Sequence, residues 1–448
     1  DVFRAVEPRY LEEPRGLYAG KSAVLALPRT VEEVAILIRH ANAARVGVIP
    51  YGGGTGLVGG QVAETGPAPL ILSLERMNKL RAVYPDENVL VAEAGMILSD
   101  VQDAAEAAER LFPLTLAAQG SARIGGNLAT NAGGTGVLRY GNARDLVLGL
   151  EVVLPDGRVW EGLKALRKDN TGYDLKHLFI GAEGTLGVIT GAVLKLFPLP
   201  QSRETAMAAL GNADNALALF QRAGHDSGDA LTAFEYINRQ SLDIAVTHIP
   251  GLKDPFEAAH DCYALIELSG PDGIKDALEQ TLAGAMEDGI VDDAVIAASG
   301  AQGAELWRIR ETIPEAQVNA GGSIKHDVSV PVSKVPEFLV RGQQIVEAEI
   351  NGVRVVAFGH LGDGNIHFNL SQPEDTEGET FLAKWERVNR LVHDLVDDLG
   401  GSFSAEHGIG VLKKDDLKRY TSAVELELMQ TLKQTLDPKG IMNPGKVL

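Results

Sequence analysis

A single cysteine among 448 residues, Cys262, excludes any intrachain disulfide and fits a reducing compartment. Set in DCYALIEL, it reads as a small buried hydrophobe rather than a reactive thiol. No apolar run approaches the roughly 18 to 20 residues needed to span a bilayer, and no secretory-signal pattern opens the chain. Because the first residue is Asp rather than Met, there is room for a preceding leader. No cluster of Lys and Arg is present, and a formal charge of -20 would repel a phosphate backbone, which argues against a nucleic-acid partner. Aromatics supply only 5% of the residues, whereas glycine is abundant at 50, so many close backbone approaches are expected.

At about 100 to 200 residues per domain, the length implies two or three domains. TVEEVAILIRHANAARVGVIPYGG opens with a capping box, Thr30 to Glu33, then apolar residues at helical spacing, then a strand at 46–49. NVLVAEAG reads as a strand and SDVQDAAEAAERL as a helix boxed by Ser99 and Gln102. LVLGLEVVLPDGRVWEG reads as a hairpin turning at Pro155-Asp156-Gly157. The prolines near residue 200 mark a boundary. Beyond it, helices such as NALALFQRAG and IKDALEQTLAGAMED alternate with strands such as CYALIELSG, VRVVAFGH and IHFNLS, an α+β layout in which helices cover one sheet face. The expected division is 1–200, 201–430, and a loop-like tail at 431–448 that folds back on the first domain.

Within IPYGGGTGLVGGQVA, Gly54, Gly56 and Gly59 match the G-x-G-x-x-G dinucleotide pattern. A Rossmann site requires a helix starting at that turn, because its terminal amides and dipole hold the pyrophosphate. Here LVGGQVAETGPAP follows, whose glycines and prolines leave no room for a helix. A Walker A loop also fails, since no Gly-Lys-Ser/Thr follows. What remains is a row of bare backbone amides suited to an anion approaching closely. Two further glycine tracts, around Gly125-Gly126 with Gly133-Gly134 and from Gly181 to Gly187, imply that something long and flat lies against this backbone.

Two histidines flank the turn in AFGHLGDGNIHFNL. If Leu361 pairs with Ile366, His360 lies directly across from His367 on one sheet face, and two imidazoles so placed can share a metal ion. Asn369, two residues on, points to the same face. A third ligand is available in SFSAEHGIG, where Glu406 precedes His407; both serve one site only if the backbone bends, and Gly408 and Gly410 permit that. Nitrogen-plus-carboxylate ligation suits zinc, manganese or iron. LWRIRETIPEAQ places Arg308 and Arg310 on a short helix ending before Pro314, and SIKHDVSVP places Lys325 on an approaching strand; either cation type can hold a carboxylate.

The runs PYGGGTGL, GSARIGGNLATNAGG, RYGNARDLVLGLEVVLPDG, LRKDNTGYDL and FIGAEGTLGVIT resemble the PCMH-type FAD-binding domain of the vanillyl-alcohol-oxidase-type flavoproteins, and among these the D-2-hydroxyacid dehydrogenases. The likeness covers nearly the whole chain. It implies an α+β substrate domain with an antiparallel sheet after the flavin domain, and FAD-dependent oxidation of D-2-hydroxyglutarate or a close relative. FAD contacts are implied at Pro50, Gly52, Gly53, Gly54, Thr55, Gly56 and Leu57 around the pyrophosphate, and at Gly120, Ser121, Gly125, Asn127, Gly134, Gly187 and Ile189 along the rest. Some relatives tether the flavin through a histidine in the first loop; position 54 here is Gly, with no His or Cys between Tyr51 and Gly60, so noncovalent FAD is expected. The likeness further implies a divalent metal, zinc, on His360, His367 and Glu406, with His407 as catalytic base and Arg310, Lys325 and Asn369 orienting the acid. Pro314 departs from the family pattern, which has threonine there, and puts hydroxyglutarate itself in doubt. Implied partners are a small 2-hydroxyacid, an electron acceptor such as an electron-transfer flavoprotein, cytochrome or quinone, and a second copy in a homodimer, in the cytoplasm or the matrix of a mitochondrion. Competing readings are a non-haem iron oxygenase, an oxygen-using flavin oxidase, and a non-catalytic binding protein.

Overall fold

Thr30 caps the helix Val31–Ala44 by accepting from the Glu33 amide at 3.3 Å, and Arg45 ends it in the left-handed region. The helix leads into the strand Val48–Tyr51, which pairs in parallel with Leu70–Ser73; that strand pairs in parallel with Val24–Ala26, and Phe3–Arg4 adds an antiparallel edge. Leu70–Ser73 is buried throughout, as expected of a strand inside a parallel sheet. A second, wholly antiparallel sheet runs in the order Leu80–Tyr84, Val89–Glu93, Val188–Lys195, Val147–Val153, Val159–Gly162. Its last two strands form the Pro-Asp-Gly hairpin, with Gly157 at φ 81° closing the turn. In this computed structural model, which describes residues 2–448, these sheets belong to one compact unit made of the chain up to Gly134, Tyr140–Leu199 and Glu406–Leu448.

Ser99 and Gln102 do not form the expected box. The helix Leu98–Glu106 starts two residues earlier, with Ile97 rather than Ser99 at the cap, and its leading amides find backbone acceptors instead: Leu98 N donates to Ala122 O and Ser99 N to Gln119 O. Gln102 is thereby released, and its Nε2 donates to Leu114 O at 2.7 Å.

The last residues extend the parallel sheet. Val48 N donates to Ile441 O at 2.7 Å, and Asn443 N donates to Val48 O at 2.8 Å. This brings Lys446 to 5% exposure. Burial, with Lys414 nearby, pushes its ammonium down to about 8 against the opposing pull of Glu183 and Glu64. Its unfolded value is higher, so between roughly pH 8 and 10.4 the unfolded chain binds the extra proton and stability rises with pH. Lys446→Met is accordingly expected to raise the melting temperature at pH 7, with the gain fading as pH climbs through that window; thermal melts across pH check this.

The other unit comprises Thr135–Arg139 and Pro200–Ala405. Its sheet runs Asp293–Ile296, Ser202–Leu210, Cys262–Gly270, Leu231–Asn238, Arg354–His360, Asn365–Ser371, Ser323–Ile324, with Asp327–Ser329 also pairing to Asn365–Ser371, all antiparallel. Helices cover both faces rather than one. Ala206, Ala208, Phe234 and Phe368 face helices Ala213–Ser227, Ile274–Glu287, Val335–Glu349 and Trp385–Asp398, whereas Met207, Leu265, Ile237 and Phe358 face Arg239–His248 and Gly300–Asn319. The central strands are apolar on alternate and intervening positions alike, which leaves neither face fit for water. Among the described residues no helix is long and apolar enough to cross a membrane.

Candidate active site

In the first unit, no helix follows the opening glycine loop, so its amides stay unspent. The loop is shaped by steric exclusion. A Cβ on Gly54, at φ 73°, would run into the Tyr51 hydroxyl, with Tyr51 Cζ only 2.9 Å away. A Cβ on Gly53 would overlap the Ser121 carbonyl and stand 3.0 Å from Ala122 Cα, so the first two glycine tracts touch backbone to backbone. Between them and the third tract opens a cavity of about 330 Å³, lined by Pro50, Gly52 to Leu57, Gly125, Asn127, Gly187 and Ile189. Gly120, Ser121 and Gly134 do not line it; Gly120 and Ser121 are exposed, and Gly134 packs against the Thr115 carbonyl.

Glu406 and His407 line the same cavity although they are neighbours in sequence. The bend comes from Gly408 and Gly410, at φ 79° and 52°. Glu183, from the third glycine tract, fixes it: one carboxylate oxygen accepts from Ile409 N at 2.7 Å and the other from Gly410 N at 2.8 Å. Burial pushes this carboxyl up, opposed by those two amides and by Lys413 and Lys446. Glu406 in turn packs where a Cβ on Gly133 would be, so Gly133 is glycine to make room for that carboxylate. Glu183 escaped the sequence reading, since nothing in GAEGTLG distinguishes a backbone clamp from a surface acid.

In the second unit the histidine hairpin differs from expectation in register. His367 pairs with Phe358, not with His360, because Leu361–Asp363 forms a turn of 3-10 helix and Gly364, at φ 81°, closes the loop before Asn365. His360 is thus the diagonal neighbour of His367 on the same face, with ring centroids 5.8 Å apart. Directly across from His360 on the adjoining strand is Glu235, 1% exposed. Its Oε1 lies 2.5 Å from His360 Nδ1, and its Oε2 accepts from Arg310 Nε at 2.5 Å. Burial alone would push this carboxyl up; the charges of His360 and Arg310 reverse that and hold it at about 2. Glu235 was also missed, although a lone acid in the alternating run LTAFEYIN was a legible signal.

Arg310 does not sit on a short helix. Gly300–Asn319 is one helix of 20 residues that continues through Pro314, which cannot donate to the carbonyl of Arg310 four residues back. Arg310 is 7% exposed and its guanidinium stacks 4.7 Å from the Phe358 ring. Arg308 points elsewhere, donating to Pro250 O and pairing with Glu305 at the surface. Lys325 lies in the break between Ser323–Ile324 and Asp327–Ser329 rather than in a strand. Asn369 is buried and tightly held: Oδ1 accepts from His326 N at 3.1 Å, and Nδ2 donates to Gln317 Oε1 at 2.8 Å. Ala405 N donates to Asp327 O at 3.3 Å, and Asp327 pairs with His367 in register.

Comparison with known proteins gives these features a family. Residues 22–162 match the FAD binding domain model and residues 199–447 the model of the FAD linked oxidases' C-terminal domain. A D-2-hydroxyglutarate dehydrogenase of Xanthomonas citri pv. viticola is 42% identical over 94% of this chain and 88% of its own length. The chain belongs to the D-2-hydroxyglutarate dehydrogenase family of FAD-linked oxidases. The mitochondrial D-2-hydroxyglutarate dehydrogenase of Arabidopsis thaliana is 39% identical over 96% of this chain and 76% of its own. A solved p-cresol methylhydroxylase, 16% identical, superposes with a TM-score of 0.74 over 95% of this chain and 88% of that one, which shows the shared fold.

The residues of the family's flavin domain fit FAD here. Asn127 Oδ1 and Asn443 Oδ1 are buried on the cavity wall with no hydrogen-bond partner in the protein, an arrangement that costs free energy unless a ligand donates to them. Asn443 is held in place by donating Nδ2 to Gly60 O and Glu183 O. Tyr51 and Gly54 leave no space for a tethering side chain at position 54.

Proposed function

We propose that this protein oxidises D-2-hydroxyglutarate or a close relative to the 2-oxoacid, with noncovalent FAD and a divalent metal, zinc, held by His360, His367 and Glu406. The observation that supports it most is the Glu235 carboxylate, which binds both the proposed metal-ligand histidine and the proposed substrate arginine. When bound, FAD would supply a hydride acceptor for the C2 hydrogen, and the metal on His360, His367 and Glu406 would supply a Lewis acid for the substrate hydroxyl. His407 takes the proton of the 2-hydroxyl, a role that an imidazole can fill near neutral pH. Arg310 receives a substrate carboxylate on its Nη groups, because Nε is spent on Glu235, and Lys325 adds a compact positive charge. Asn369, fixed by Gln317 and His326, orients the acid. A donor set of two imidazoles and a carboxylate admits manganese or iron as well as zinc, and the family resemblance favours zinc.

A second reading, oxidation of D-malate, D-lactate or glycolate, is favoured by Pro314, which stands one helical turn beyond Arg310 and offers neither a hydroxyl nor an N–H to a distal carboxylate. Anaerobic mixing with each acid decides between them. The purified yellow protein is expected to bleach fastest with D-2-hydroxyglutarate and to lose that reaction after chelation, regaining it with zinc; bleaching by none of the four acids would refute the assignment. Reoxidation is assigned to an electron-transfer flavoprotein, cytochrome or quinone, and little peroxide is expected in air.

A further inference from the structure

A carboxylate only 1% exposed in the middle of a sheet requires a reason, because burying it unpaired would be strongly unfavourable. Glu235 shares a sheet face with Ile237 and Phe358, both in the apolar cluster beneath the helix Gly300–Asn319. Ala233 and Ile237 flank it at i-2 and i+2, so every other position of that row is hydrocarbon. An apolar residue would fill the place at no desolvation cost. Both oxygens are instead engaged by donors from two different elements, His360 on the neighbouring strand and Arg310 on the covering helix.

We infer that Glu235 is a positioning residue that couples metal binding to substrate-carboxylate binding; this rests on the metal and substrate reading above. Because Oε1 takes the Nδ1 hydrogen, Nε2 is left as the ring nitrogen of His360 that would bind the metal. Because Oε2 takes the Nε hydrogen, Arg310 offers its two Nη groups end-on, with the Phe358 ring fixing the plane of the fork. One negative charge is thus divided between a metal ligand and a cation. Whatever draws that charge towards Arg310 weakens its polarisation of His360, and the converse holds, so occupation of one group is felt at the other.

Glu235→Gln removes this arrangement with little change of shape. A glutamine has one acceptor oxygen, and its amide nitrogen, facing a donor, must break one of the two bonds. In the FAD-loaded enzyme, the expected result is a 10- to 100-fold weaker affinity for zinc in a competition titration against a chromophoric chelator, a KM for the hydroxyacid raised at least about tenfold, and an unchanged flavin-to-protein ratio, since Glu235 does not line the flavin cavity. A merely structural role would instead lower flavin content and melting temperature together and leave zinc affinity per folded chain unaltered, and that result overturns the inference. Arg310→Lys supplies a second arm should the glutamine variant not fold. Lysine has no Nε–H at that position, so the directed bond to Oε2 is replaced by a longer ammonium contact, Glu235 leans further towards His360, and zinc affinity is expected to rise at least twofold although Arg310 is not among the proposed ligands; affinity within twofold of the parent overturns the coupling. Should the parent bind no zinc and ignore chelators, the metal reading fails by itself. The arginine half is then judged by binding of the 2-oxoacid product, followed through the flavin spectrum, and unchanged product affinity in Glu235→Gln overturns it.

Discussion

His407→Ala is expected to retain FAD and metal while slowing anaerobic flavin reduction by D-2-hydroxyacid by about 10² to 10⁴, the usual contribution of a positioned general base. The reason lies in the loop geometry. His407 is presented to the flavin cavity because Gly408 and Gly410 reverse the chain and Glu183 grips the amides of Ile409 and Gly410, none of which involves the imidazole. The Glu183 clamp on the loop therefore does not depend on the ring. Stopped-flow reduction at saturating substrate is the decisive measurement, with flavin and zinc content recorded beside it. A variant reduced at the parent rate would show that the hydroxyl proton leaves by another route.

Gly53→Ala is expected to yield colourless protein. The added methyl would occupy the position of the Ser121 carbonyl and crowd Ala122 Cα at 3.0 Å, and both obstacles are backbone. The first and second glycine tracts would have to separate, which removes the wall on which the proposed pyrophosphate lies. Flavin content below about a tenth of the parent is expected, since losing even 1.4 kcal/mol of binding is a factor of ten in affinity. Gly120→Ala is the matched control: no atom lies within 4 Å of its Cβ, it lies outside the cavity lining, and it should bind FAD as the parent does. A yellow Gly53→Ala protein of parental flavin content would contradict the proposed role of the first loop.

Much of this was legible in the primary structure because it depends on local chemistry. The helix cap at Thr30, the Pro-Asp-Gly hairpin and the absence of a helix after the glycine loop all follow from a few adjacent residues, and the last of these removed a nicotinamide cofactor from consideration. The pairing of two histidines on one face was also readable, since alternation along a strand survives a change of register by two. Their register itself was not: it depended on how Leu361–Asp363 turns, and Gly364 is forced there by the Val330 carbonyl from a distant segment. The failure of the Ser99 box has the same origin, since Gln119 and Ala122, far along the chain, satisfied the amides first.

The sequence alone therefore determined the family, the flavin domain and the residue types available for acid-base and metal chemistry, because glycine tracts and paired histidines carry their meaning in short spacings. Only the tertiary structure decided which acids govern them. Glu183 reaches the His407 loop across more than two hundred residues, and Glu235 meets His360 and Arg310 from strands and a helix that no local pattern brings together. A buried carboxylate takes its role from the donors that surround it, and those donors are chosen by packing.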